Sequence, residues 1–163
     1  MNSNASNSND TPYLHGYTNT EQERLRRQAK LTEGLIYRDI DFMEKQHILE
    51  VGCGVGAQTE ILLRRFPNTQ ITGIDLNQEQ INSAQHHLKQ CPWAGERYDL
   101  LLRNAKETGF AESSFDGAFL CWVLEHIPNP QEVLEEVRRV LSPGSAVYIT
   151  EVMNSSFFLD PYL

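Results

Sequence analysis

The chain has 163 residues, of which 40% are hydrophobic and 22% are charged, and its formal net charge is −8. This composition is typical of one soluble globular domain, and no stretch approaches the roughly 18 apolar residues that a membrane span needs. The acidic balance disfavours nucleic acid as a partner, because that affinity comes largely from lysine and arginine side chains that neutralise phosphates. The amino terminus lacks the basic and apolar segments of a secretory signal, so we expect a cytoplasmic location.

Cysteine and histidine usage predicts no metal site. Cys53, Cys91 and Cys121 are odd in number, widely spaced and without a CxxC pair, which disfavours a disulfide framework and a structural zinc site. We therefore expect free thiols. His86 and His87 have no acidic or cysteine partner at ligand spacing along the sequence, so both are expected to be exposed on a helix.

The amino-terminal part divides into two segments. Residues 1–12 are rich in asparagine and serine and have almost no apolar content, so they are predicted to be a disordered tail. Within residues 13–45, apolar side chains recur at roughly helical spacing from about residue 20 to about residue 44. This spacing predicts one helix before the first strand.

Short apolar runs then alternate with helical segments through residues 46–153. The predicted strands are residues 47–52, 70–75, 99–104, 115–123 and 145–152, and the predicted helices are residues 57–66, 77–90 and 130–141, with Asn77 as a helix cap. Such alternation is typical of parallel βαβ units with right-handed crossovers and helices on both faces. The sequence therefore predicts a doubly wound, mostly parallel α/β sheet.

The segment ILEVGCGVGAQTE, residues 48–60, places three glycines directly after the first predicted strand. A ligand in such a sheet binds outside the carboxyl ends of the strands, and glycines let it sit directly on the backbone. Asp75, about 20 residues further on, ends the second strand, where an acid binds ribose hydroxyls. A nicotinamide dinucleotide and S-adenosylmethionine both fit these features, since each carries an adenosine.

Two residues favour the second of these cofactors. Glu50 lies inside an otherwise apolar strand, where a carboxylate is costly unless it is paired or faces a polar ligand. It would repel a pyrophosphate and would not repel a cationic sulfonium or ammonium. Gly56 extends the turn to G-x-G-x-G, one glycine more than the dinucleotide pattern requires.

Four segments in order, ILEVGCGVG, ITGIDLNQEQI, RNAKETGFAESSFDGAFLCWVLEHIPNP and EEVRRVLSPG, extend over about residues 47–152. Together they resemble the class I S-adenosylmethionine-dependent methyltransferases, of the small-molecule group that includes the ubiquinone and menaquinone biosynthesis type. The resemblance implies a Rossmann-like fold and in-line transfer of a methyl group to a small-molecule acceptor. A non-catalytic cofactor-binding module is the alternative, and an NAD(P)-dependent oxidoreductase is less favoured.

The resemblance also implies a division of the chain and a missing part. Residues 13–45 would form an amino-terminal lid and helix, residues 46–153 the cofactor-binding domain, and residues 154–163 the start of a truncated carboxy-terminal region. No segment resembles the family's sixth and seventh strands, so the chain is expected to be truncated, to bind cofactor and to methylate poorly or not at all. The less favoured explanation is a homodimer in which a second copy covers the open edge of the fifth strand.

Residue roles implied by the resemblance cover both parts of the cofactor. The methionine portion and the methyl group would contact Glu50, Gly52, Cys53, Gly54, Gly56, Cys121 and Trp122. The adenosine would contact Asp75 through both ribose hydroxyls and Leu76, Gln80, Asn104 and Ala105 around the adenine, with Asn104 in the place of the family's usual aspartate. Tyr17 would close over the cofactor from the lid. His126 is the candidate general base, which is needed only if the acceptor must lose a proton.

Overall fold

The computed structural model of the protein describes residues 19–151. The predictions for Tyr17, for the tail over residues 1–12 and for residues 154–163 lie outside this range. Within it, every helix is too short or too polar to cross a lipid bilayer. The three cysteines all lie inside the described range, and they form no disulfide there.

Four helices and five strands make up the described chain. They are α1 (Asn19–Ile36), β1 (His47–Val51), α2 (Ala57–Arg65), β2 (Gln70–Asp75), α3 (Gln78–Leu88), β3 (Tyr98–Leu102), β4 (Phe115–Cys121), α4 (Pro130–Val140) and β5 (Leu141–Thr150). All strand pairs are parallel, in the order β3-β2-β1-β4-β5. The predicted doubly wound α/β sheet is thus confirmed, with β1 at its centre.

Strand β1 shows how the sheet is covered on both faces. Side chains alternate along a strand, so Ile48 packs into the apolar cluster beneath α1, α2 and α3, whereas Leu49 and Val51 pack into the cluster beneath α4. Glu50 lies on the α2 face, where its carboxylate contacts Thr59. The only acid of β1 therefore lies on the face of the sheet that α2 covers. Helix α2 directly follows the glycine turn.

The segment before β1 differs from its prediction. Helix α1 ends at Ile36 instead of continuing to about residue 44, and Leu35 and Met43, which the apolar spacing includes, are exposed. Tyr37 and Phe42, which lie beyond the helix, are fully buried and pack on aromatic rings of the sheet. Aromatic burial against the sheet stabilises a turn there, and helical periodicity alone does not detect it.

The start of α3 agrees with its prediction. The side-chain Oδ1 of Asn77 accepts hydrogen bonds from the backbone N–H groups of Glu79 and Gln80 at 2.8 and 3.1 Å. This satisfies two of the donors that a helix leaves open at its amino terminus. Asn77 lies two residues after Asp75, where β2 ends. The first turn of α3 therefore lies close to the end of that strand.

Strands β3 and β5 form the edges of the sheet. Strand β5 follows α4 without a loop, since the helix ends at Val140 and the strand begins at Leu141. Val147 and Ile149 of this strand are nearly half exposed, so the edge is partly apolar as expected. Pairing with a second copy along this edge stays a prediction.

Candidate cofactor site

The turn between β1 and α2 has a left-handed backbone at all three glycines, with φ of +72° at Gly52, +51° at Gly54 and +74° at Gly56. Glycine favours such φ values because it has no Cβ. A Cβ on Gly52 would lie 2.5 Å from Cγ2 of Val123, and one on Gly56 would lie 3.0 Å from Cβ of Ala84. A Cβ on Gly54 would meet no atom within 4 Å. Packing therefore requires two of the glycines, and Gly54 leaves open space against the backbone.

Asp75 joins this turn to the end of β2. Its Oδ2 accepts a hydrogen bond from the N–H of Gly54 and its Oδ1 accepts one from the N–H of Asn77, both at 2.9 Å. Burial raises the pKa of the carboxyl group, and the backbone N–H donors act against that shift. An ionised carboxylate offers about four lone-pair sites, so each oxygen keeps acceptor capacity for a further donor. The two oxygens are thus held in place, and each can accept one more hydrogen bond.

Glu50 is a buried acid whose partner among residues 19–151 is a hydroxyl group rather than a cation. Its side chain is 2% exposed, and its Oε2 accepts a 2.6 Å hydrogen bond from Oγ1 of Thr59. Burial raises its pKa to about 8, the bond from Thr59 lowers it, and the negative charge of Asp75 raises it. Within residues 19–151 no basic side chain acts on this carboxyl group. The sequence analysis did not identify Thr59 as the partner of Glu50. A hydroxyl side chain in the first turn of the helix after the glycine turn was the available signal.

The end of β4 carries a backbone conformation that is rare for a bulky residue. Trp122 has a φ of +55°, and its N–H donates a 2.8 Å hydrogen bond to the carbonyl oxygen of Thr150. Such conformations cost free energy and cluster at functional sites. The neighbouring thiol of Cys121 has a raised pKa because it is buried. A raised pKa disfavours the thiolate form that a cysteine nucleophile requires.

Glu151, directly after β5, is a residue of this edge that sequence reasoning missed. Its Oε1 accepts hydrogen bonds from the N–H groups of Val123 at 3.1 Å and Leu124 at 2.9 Å. Its Oε2 is buried and has no hydrogen-bond partner among the described residues. The side chain of Val123 also packs beside Gly52. Glu151 therefore positions a segment that borders the glycine turn. The available signal was an acid at the end of a strand, as for Asp75.

The residues expected around adenine lie at the ends of β2 and β3. Leu76 is 73% exposed, although it is apolar. Gln80 is buried, and its Oε1 has no hydrogen-bond partner within the described range. Asn104 is exposed beside the partly buried Ala105, and its Oδ1 accepts a hydrogen bond from the N–H of Lys106 at 3.0 Å. The exposed apolar side chain of Leu76 and the unpartnered amide oxygen of Gln80 suit a planar ring that has polar edges.

The candidate base follows β4 in the chain. His126 belongs to a short 3-10 turn, Leu124–His126, and its Nε2 is 3.7 Å from Oε1 of Glu125. The side chain is exposed. Its role as a general base stays a prediction.

The expectation for His87 is wrong. Its side chain is largely buried, its Nε2 lies 2.8 Å from Oε2 of Glu60, and Cys91 completes a cluster of three groups that suit a metal ion. His86 is exposed, as expected. The acid was missed because Glu60 belongs to α2 and reaches His87 only through packing of the two helices. Cys91 was overlooked although it lies four residues after His87, which is about one helical turn.

The donor set fits S-adenosylmethionine better than a dinucleotide. The open backbone at Gly54 and the oriented carboxylate of Asp75 suit any nucleoside. Glu50, however, has no countercharge within residues 19–151, and a cationic ligand would stabilise its ionised form. A pyrophosphate at the same turn would instead disfavour that ionised form.

The family profile described as "Methyltransferase domain" matches residues 49–149. The O-methyltransferase resE of Aspergillus sclerotiorum is 36% identical over 107 residues, which are 66% of this chain and 40% of that protein. The 24-methylenesterol C-methyltransferase 2 of Arabidopsis thaliana is 35% identical over 117 residues, which are 72% of this chain and 32% of that protein. The chain thus spans less than half of the length of these relatives.

Solved structures share the fold. A SAM dependent methyltransferase from Aquifex aeolicus superposes with a TM-score of 0.63 at 20% identity, over 76% of this chain and 67% of that chain. The cyclase SpnF superposes with a TM-score of 0.64 at 27% identity, over 73% of this chain and 44% of that chain. One fold therefore occurs in proteins that are named for different reactions.

Proposed function

The chain belongs to the class I S-adenosylmethionine-dependent methyltransferase family, whose domain profile matches residues 49–149, and from this premise we propose that it binds S-adenosylmethionine at the carboxyl edge of its sheet and methylates a small-molecule acceptor. The observation that carries the proposal is Glu50. It is a buried carboxyl group without a basic partner among residues 19–151, beside the open backbone of Gly54 and the acceptor pair of Asp75. The ubiquinone and menaquinone subtype stays a prediction.

The described residues bind and orient rather than react. Asp75 would accept the two ribose hydroxyls, and Gly54 would let the ligand lie against the backbone. Glu50 would stabilise positive charge on the methionine portion. When bound, the cofactor supplies a methyl group on a sulfonium that is already activated for in-line displacement. Alignment of the two reactants therefore supplies much of the rate.

The acceptor class rests on the relatives. One is named an O-methyltransferase and another a sterol C-methyltransferase, so the proposal extends to a small molecule and to either acceptor atom. A hydroxyl acceptor must lose a proton, and His126 is the base that we propose for that case. The neutral thiol of Cys121 and the ring of Trp122 would border the methyl group.

Binding is tested by calorimetric titration with S-adenosylhomocysteine. Because Asp75 would make two charge-assisted hydrogen bonds to the ribose, Asp75→Ala is expected to lose about 1.5–3 kcal/mol, which is about 10- to 150-fold in affinity. Asp99→Ala, an exposed acid on β3, is the matched control and should bind normally. Equal affinity of both variants would overturn the ribose assignment.

Catalysis is tested by transfer of a labelled methyl group to a panel of hydroxyl and carbon acceptors. Transfer that is lost in Asp75→Ala and retained in Asp99→Ala supports the proposal. Tight binding of the cofactor product without transfer to any acceptor would support the cofactor-binding module instead. A thermal-shift titration in which NADH stabilises the protein more than S-adenosylmethionine does would support the oxidoreductase.

A further inference from the structure

A cluster of metal-ligating groups lies between α2 and the end of α3, and it includes none of the residues assigned to the cofactor. Glu60 contributes a carboxylate, His87 an imidazole and Cys91 a thiol, and the three ligand atoms all lie within 4.8 Å of one another. The Nε2 of His87 is already 2.8 Å from Oε2 of Glu60. Two elements that are distant along the chain thus bring three different ligand types to one point.

The spacing suits a tetrahedral ion. Zinc–nitrogen and zinc–oxygen bonds of about 2.0–2.1 Å and zinc–sulfur bonds of about 2.3 Å place tetrahedral ligand atoms roughly 3.3–3.8 Å apart. Separations of up to 4.8 Å therefore close onto an ion with small side-chain movements. Imidazole and thiolate ligands favour zinc-class transition metals over magnesium or calcium, which prefer oxygen.

Burial and charge also suit an ion. The side chains of His87 and Glu60 are only 14% and 15% exposed, so the group is sheltered but still reachable from solvent. The Cys91 thiol lies 3.9 Å from the carbonyl oxygen of His87, at the turn that follows α3. Arg26 and Lys30 of α1 act electrostatically on His87 and oppose a cation there. Metal binding would displace the proton of the Cys91 thiol to solvent, and the resulting thiolate, together with the Glu60 carboxylate, would offset this repulsion.

We propose that Glu60, His87 and Cys91 bind one zinc-class divalent ion, with the fourth coordination position open to water or to another donor. The ion would connect the first half of α2 to the end of α3. This site would stabilise the packing of two helices whose amino termini border the cofactor turn. The proposal does not depend on the methyltransferase assignment.

Cobalt(II) is the probe for the test, because thiolate ligation gives a charge-transfer absorption in the near ultraviolet and tetrahedral coordination gives intense visible bands. The protein is expected to bind one cobalt ion with both signatures, and zinc should displace it. Cys91→Ser should remove the charge-transfer band, whereas Cys121→Ser should keep it. A band that survives in Cys91→Ser would overturn the proposal.

The neighbouring histidines provide a matched pair. His87→Gln is expected to weaken metal binding at least tenfold, since even the loss of a residue behind a ligand costs about 10- to 100-fold. His86→Gln should bind as the unmodified protein does. Circular dichroism without metal identifies a variant that fails to fold, and Glu60→Gln then replaces it in the comparison. Equal metal affinities of the two histidine variants would overturn the proposal.

Discussion

Two glutamates of this molecule accept hydrogen bonds of equal length from threonine, and yet their pKa values move in opposite directions. The hydroxyl of Thr59 lies 2.6 Å from Glu50, and the hydroxyl of Thr108 lies 2.6 Å from Glu136. The pKa of Glu50 rises to about 8 because the group is buried, whereas that of Glu136 falls to about 2, mainly because of its hydrogen bonds with Arg139.

The difference lies in the countercharge. Arg139 donates to both carboxylate oxygens of Glu136 at 2.7 and 2.8 Å, and the N–H of Thr108 adds another bond at 2.8 Å. Glu50 has the hydroxyl but no cation within the described range. A threonine hydroxyl alone does not hold a charge in the core of this sheet. Glu136 is paired with a cation inside the described range, whereas a bound cationic ligand would supply the countercharge that Glu50 lacks there.

The largest expected effect is the pH dependence that Glu50 gives to folding. Its pKa is higher in the folded protein than its ordinary value of 4.5, so its contribution to stability is present below about pH 4.5 and declines as the pH rises toward about 8. Relative to Glu50→Gln, the protein should lose about 1.4 kcal/mol of unfolding free energy per pH unit in that window. Denaturant unfolding of both proteins across the window measures this, and parallel profiles would refute the assigned burial cost.

Glycine substitutions come next and separate packing from ligand space. Gly52→Ala places a Cβ 2.5 Å from Val123 at a position whose φ is +72°. The substitution is therefore expected to cost roughly 2–4 kcal/mol of stability. Gly54→Ala meets no atom within 4 Å, so it should cost only about 1–2 kcal/mol for its positive φ. Cofactor affinity should nevertheless fall in Gly54→Ala. Thermal unfolding measures the loss of stability in each variant, and calorimetry measures its cofactor affinity. Normal cofactor binding by Gly54→Ala would contradict the assignment of the open space at Gly54 to the ligand.

A core substitution in α4 is expected to lower stability without changing cofactor affinity. Val137 is buried in the apolar cluster on the face away from Glu50. Val137→Ala should lower the unfolding free energy by about 2 kcal/mol, because two buried methyl groups are lost. The affinity for S-adenosylhomocysteine should not change at temperatures where the variant is folded. Weaker binding by this variant, measured by calorimetry, would show that the two faces are coupled.

The smallest effect is expected for Glu136→Gln. Its stabilising charge is present above about pH 4.5 and is lost as the pH falls through about 2, because the folded pKa is depressed. Arg139 is 36% exposed, so solvent screening limits the loss at neutral pH to about 1 kcal/mol. The unfolding free energies of the unmodified protein and of Glu136→Gln should differ clearly at neutral pH. Near pH 2 they should be almost equal. A difference of equal size at both values would contradict the role of the ion pair.

Local sequence signals predicted most of the elements. Asn77 caps α3 as its side chain and position indicated, and the five strands lie within a few residues of their predicted bounds. The glycine turn and Asp75 come together as expected, since the carboxyl ends of parallel strands meet at one edge. Tyr17, the domain divisions, the dimer and the cytoplasmic location stay predictions.

Contacts between distant residues explain the failures. Helix α1 ends at Ile36 because Tyr37 and Phe42 are buried against the sheet, and no helical period contains that information. The pair of Glu60 and His87 joins residues of two helices. Glu151 reaches Val123 only because β5 lies beside β4.

The sequence by itself determined the alternation of strands and helices, the bare turn after β1 and the presence of an acid in an apolar strand. Periodicity, caps and glycine conformation depend on neighbouring residues, so the order of residues is enough to detect them. The tertiary structure decided which acid is buried without a cation among the described residues, because the groups that surround a core strand approach from other elements. Glu136 finds its cation within α4, and Glu50 is buried beside Thr59 with none in residues 19–151.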